Sequence, residues 1–137
     1  MISELAGYRE VEHTADWELE VWATDMPGLL EQAARGMSLL SGMKLFPEPR
    51  LVRSLTLQAF DYETLIVKFL SELLYYAEQE GVGFDKFQLN MDGYDLQAEL
   101  EGAPLASLDK EIKAVTFHRL AVHQTDGKLW MNVVFDV

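Results

Sequence analysis

Two Asp-Gly pairs, Asp92-Gly93 and Asp126-Gly127, do most to narrow what this chain can fold into. Each sits where a two-residue reversal needs positive φ, between segments suited to strands: Phe87 to Met91 and Tyr94 to Leu100, then Val115 to Val122 and Leu129 to Val137. A reversal that tight leaves no room for a crossover, so the flanking strands must be antiparallel neighbours. Trp17 to Ala23 and Ser54 to Ala59 alternate with period two, and Tyr8 to Glu12 is also strand-like. Two segments follow helical spacing instead. In the first, Thr24 and Asp25 offer N-caps, Pro27 fits a first turn, and Leu29, Leu30, Ala33, Ala34, Met37 and Leu40 line one face up to Gly42. In the second, Asp61 is the cap, Leu65, Ile66, Phe69, Leu70, Leu73, Leu74 and Ala77 form the stripe, and Gly81 is the stop. Pro47 and Pro49 make a loop of Lys44 to Arg50. The expectation is a single α+β domain over 1–137, with about six or seven strands in a mostly antiparallel sheet packed with two main amphipathic helices.

At 137 residues and 49% apolar content, the chain can bury one continuous core. No apolar run approaches the roughly 18 residues a membrane span needs, and Met1 to Leu5 has no basic leader region. The expectation is a soluble, cytoplasmic protein with no membrane association. With 23 acidic against 11 scattered basic residues the formal charge is −12, which would repel a phosphate backbone, so direct nucleic-acid binding is not expected. The acidity reads as a solvated surface or as complementarity to a basic partner. The absence of cysteine excludes thiolate ligands and nucleophiles, so any metal must use oxygen or imidazole donors.

His13-Thr14-Ala15-Asp16 falls at a connection between two strand-like segments, where a turn held by its own side chains and a functional site are both open. Phe135-Asp136-Val137 sets the Asp136 carboxylate beside the α-carboxylate that follows Val137. Two neighbouring anions repel, and either a cation or solvent at a frayed end would relieve the cost. If Asp16 lies beside them, the three carboxylates make a hard oxygen site for Ca²⁺ or Mg²⁺. His13 would be a fourth ligand only for zinc, against a structural histidine. His118 and His123 flank an expected strand, and no nucleophile motif accompanies them. Lys113 is a candidate for anchoring a phosphate or a partner's carboxylate, against an edge-strand lysine that deters aggregation. Glu72 is expected to be solvated. Phosphate-cradling glycine loops, HExxH and dinucleotide fingerprints are missing. A metal-activated phosphoester hydrolase built on Asp16, His13 and Asp136, and a pure interaction or chaperone-like module, are the rival functions.

His13-Thr14-Ala15-Asp16, the Ala33-Ala34 helix, Leu65 to Glu80, Ile112 to His118 and Phe135-Asp136-Val137 together resemble the archease family across nearly the whole chain. The resemblance implies an accessory factor, not itself an enzyme, for an RtcB-type RNA-splicing ligase, promoting guanylylation of the ligase and its repeated turnover in tRNA splicing or RNA repair. It also implies a bound divalent cation, usually calcium, with Mg²⁺ or another ion as alternatives, on Asp16, Asp136 and the terminal Val137. Trp17-Glu18 stands where the family commonly has a small or aliphatic pair, and Phe117 replaces a tyrosine often found before the histidine.

Overall fold

The structure, a computed structural model, describes residues 5–12 and 16–137. Among these residues, nine strands and two α-helices occur in the order β1 (Gly7–Val11), β2 (Trp17–Ala23), α1 (Met26–Ser41), β3 (Lys44–Leu45), β4 (Leu51–Leu57), α2 (Tyr62–Tyr75), β5 (Val82–Asp92), β6 (Asp95–Ser107), β7 (Ala114–Val115), β8 (His123–Thr125) and β9 (Lys128–Asp136). The strands form two sheets. One has the order β1-β2-β9-β7, with β8 also on β9; the other has the order β3-β6-β4, with β5 on β6. The strand pairings are antiparallel, as the tight reversals require. The α+β class holds, although the strands divide between two sheets and exceed the expected number.

Both helices begin as their caps dictate. The Asp25 carboxylate accepts the Gly28 N–H at 2.8 Å, Pro27 occupies the first turn, and Gly42 ends α1 in the left-handed region at φ 65°. The Asp61 carboxylate accepts the Thr64 N–H at 2.7 Å. The α-helix stops at Tyr75, five residues earlier than a stop at Gly81 implies, because Tyr76–Glu80 widens into a π-helical turn before Gly81. The apolar stripes enter one core: Leu29, Leu30, Ala33 and Ala34 of α1 and Leu65, Ile66, Phe69 and Leu70 of α2 are fully buried, together with Leu19, Val21, Leu96, Leu100, Met131, Val133 and Phe135 from the sheets.

Other departures from the sequence reading have local causes. Lys44–Leu45 pairs with β6 inside the expected loop, and β4 covers Leu51–Leu57 instead of Ser54 to Ala59. In the β5–β6 hairpin Asp92 still pairs with Asp95, so the turn residues are Gly93 and Tyr94, with glycine supplying the positive φ first. In the β8–β9 hairpin both Asp126 (φ 53°) and Gly127 (φ 73°) lie at positive φ, as expected of that pair. The expected strand Val115 to Val122 is interrupted. β7 and β8 pair with opposite ends of β9, while residues 116–122 leave the ladder, turning at Arg119 with φ 55°. The backbone N–H and hydroxyl of Thr116 both donate to the Val134 carbonyl, and the Val122 N–H donates to Glu63 at 2.9 Å, which pins both ends of the excursion.

Candidate carboxylate site

β2 and β9 pair from Trp17↔Phe135 to Ala23↔Leu129. Asp16 directly precedes the first of these pairs and Asp136 directly follows it, so the register carries the two aspartates to the same end of the strand pair. Both are exposed, and they line one shallow depression of about 240 Å³ together with Thr116, His118, Val134 and Phe135. Two of the three carboxylates proposed from the sequence are therefore neighbours. The third depends on Val137, whose half-buried side chain packs against the core. The end of β9 is also tied down by the Asp136 carbonyl, which accepts the Lys113 N–H at 2.8 Å. His13, Thr14 and Ala15 lie outside the described residues.

The donor set tests the fit to a cation. Two carboxylates offer hard oxygen atoms suited to Ca²⁺ or Mg²⁺. Among the described residues, however, no group of three or more His, Asp or Glu side chains is placed to hold a metal ion. The described side chains alone make an incomplete site, which any further donor would have to complete from the terminus, residues 13–15 or water. His118 shares the depression although it does not flank a strand; it rides on the excursion after β7, and the Thr116 hydroxyl accepts its N–H at 3.3 Å. Its proximity to Asp16 follows from the β7–β9 and β2–β9 pairings, which leave no local mark in the sequence. Lys113 is exposed, one residue before β7, and Glu72 is half-buried rather than fully solvated.

Beneath the site lies a polar group that the sequence reading did not identify. Glu18 is buried at 3% exposure. One carboxylate oxygen accepts from Arg119 at 2.7 Å and the other from the Asn132 amide at 2.5 Å. Glu18 points away from the Leu19–Val21–Ala23 face, where an alternating strand would leave it in water. The 116–122 excursion brings Arg119 to it, and Asn132 of β9 lies on its other oxygen. The Trp17-Glu18 pair thus serves two faces: Trp17 packs on the core and Glu18 anchors the segment that carries His118.

The sequence model of the archease protein family matches residues 8–137. Protein archease of Methanosarcina mazei is 33% identical over 149 residues, with all of both chains covered. Protein archease of Pyrobaculum islandicum is 29% identical over 140 residues, covering 95% of each chain. Among solved structures, an archease of Thermotoga maritima described as a possible chaperone superposes with a TM-score of 0.72 at 23% identity, covering 94% of this chain and 96% of that one. Protein 1598 of Methanobacterium thermoautotrophicum gives 0.72 at 23%, covering 96% and 99%. At that identity the two structures speak for the fold alone.

Proposed function

The chain belongs to the archease family, and on that premise we propose that it is a cytoplasmic accessory factor that activates an RtcB-type RNA ligase. It acts on a larger enzyme by promoting guanylylation and multiple turnover in tRNA splicing or RNA repair, without catalysing the joining itself. The observation that carries the reading is the convergence of Asp16 and Asp136 at one exposed end of the β2–β9 pair. A divalent cation, Ca²⁺ or else Mg²⁺ or another ion, would be held there by Asp16, Asp136 and the terminal carboxylate of Val137. Such an ion supplies a fixed positive charge for anionic oxygen atoms. This chain's own residues would set its place: the β2–β9 register brings the aspartates together, the Lys113 N–H holds the Asp136 carbonyl, and the Glu18–Arg119 pair fixes the segment bearing His118.

The test is multiple-turnover ligation by the cognate ligase, with and without this protein. Stimulation by wild type and its loss in folded Asp16→Ala and Asp136→Ala variants is the expected result. Undiminished stimulation by the variants would remove the site, and no stimulation by wild type would remove the activator reading. The second reading is an interaction or chaperone-like module; on that reading, stripping the cation lowers stability without a specific effect on ligation.

A further inference from the structure

The β2–β9 pair carries a second feature about six residues from the aspartates. Trp22 and Trp130 are directly opposite in register. They lie on the face away from Leu19, Val21 and Ala23, which are buried at 1% exposure or less. Trp130 is 36% exposed and stacks on His123, with ring centroids 4.2 Å apart and 25° between the planes. Trp22 lies over Gly7 on the neighbouring strand, where a Cβ would come within 2.7 Å of its ring. Three aromatic rings thus cross three strands side by side, with glycine leaving the room on the fourth. The indoles line a depression with Glu20, Thr125, Asp126 and Lys128.

We propose that the Trp22–Trp130 pair is a docking anchor for an arginine-bearing basic face of the same partner on which the carboxylate site acts. This rests on the activator reading. At about 3.3 Å per strand residue the anchor is about 20 Å from Asp16 and Asp136. An ordinary protein interface buries about 800 Å² per partner, a patch about 30 Å across, so one footprint is wide enough to take in both the aspartates and the indoles when it is centred between them. Glu20 is already paired with Arg9 at 2.7 Å, and Lys128 lies beside Asp126, so the local charges largely cancel. What selects a guanidinium is the indole faces, on which planar Arg stacks well, within the field of a chain of net charge −12. Among the described residues the only cation over an aromatic ring is Arg35, above Phe87, so none of the described cations sits over either indole.

The chain has three tryptophans, and the third, Trp17, packs on the core and serves as an internal control. In a titration of the ¹⁵N-labelled protein with a short blocked arginine-rich peptide, the indole N–H signals of Trp22 and Trp130 should move while that of Trp17 stays. A matched peptide with citrulline for arginine should move them at least fivefold less. Uniform movement of all three, or none, overturns the anchor whatever the partner proves to be. With the cognate ligase, Trp130→Leu combined with Trp22→Leu should weaken Kd by about tenfold or more, the scale of an interface hot spot, while saturating stimulation persists. Trp130→Leu alone, at the exposed ring, should give part of that loss if the double variant fails to fold. Equal ligase binding by folded Leu variants overturns the anchor and leaves the activator reading intact. Failure of wild type to stimulate removes the activator reading, and the peptide titration still decides the anchor.

Discussion

The two sheets start from the same alternating pattern and differ in the fate of one outward carboxylate. On the β3-β6-β4 sheet with β5, Ser54, Thr56, Gln88, Asn90, Gln97 and Glu99 remain in solvent. Its ion pairs, Arg50 with Asp85 and Glu101 and Arg53 with Glu80, are at least one-third exposed at each partner. On the β1-β2-β9 sheet the outward Glu20 likewise pairs with Arg9 in partial solvent, but Glu18, at an equivalent outward position, is buried, and the 116–122 excursion carries Arg119 to it. An outward carboxylate in a strand is therefore a surface residue or an anchor according to what the chain later lays over it. The covered face is also the one that leads to Asp16 and Asp136.

The comparison can be broken most forcefully at the glycines. On the second sheet a Cβ at Gly102 would run into the backbone carbonyl of Gly83, which cannot swing aside. Gly102→Ala should cost about 3 kcal/mol in urea unfolding, the upper end for overpacking. Gly7→Ala on the first sheet meets only the Trp22 ring and should cost well under half of that, so equal costs would show that both sheets are equally rigid.

Next in size is Arg119→Ala, which leaves the buried Glu18 carboxylate without its guanidinium. A loss of about 1–2 kcal/mol is expected: the Glu18 carboxylate is buried, so the cost exceeds that of a broken surface pair, but the Arg119 side chain is itself 56% exposed, so it falls short of that of a fully buried pair. Arg50→Ala, removing a solvated network on the other sheet, should leave the unfolding midpoint nearly unchanged. If the two variants lose the same stability, the burial of Glu18 has no energetic meaning. Arg119→Ala should also broaden the His118 signals in NMR spectra, since it releases the segment that holds the imidazole.

The smallest expected effect is in pH. The Arg50 guanidinium, hydrogen-bonded to Asp85, holds that carboxyl below its ordinary range. A depressed folded-state pKa stabilises above the unfolded value and is lost as pH falls through the folded one. The stability gap between wild type and Asp85→Asn should therefore be constant near neutrality and close only in acid, below the usual carboxylate range. A gap that widened in acid would reverse the assigned sign.

Much of this architecture was legible locally. Asp25 and Asp61 are caps because a short carboxylate reaches an otherwise unpaired N–H, and Asp126-Gly127 turns because both residues accept positive φ. Trp17 to Ala23 is a strand with the boundaries its alternation implies. The carboxylates at the candidate site were legible as residue types, and their family resemblance suggested a pairing. Their convergence depends on β2 meeting β9 across most of the chain, a contact whose register is set by mutual burial of Leu19, Val21, Met131 and Val133. Burial of Glu18, the interruption of the strand after Val115 and the arrival of His118 beside Asp16 were likewise decided only in three dimensions. Short-range hydrogen bonding and periodicity act within a few residues and are written where they act, whereas which outward face is covered depends on segments about 100 residues away that no local pattern specifies.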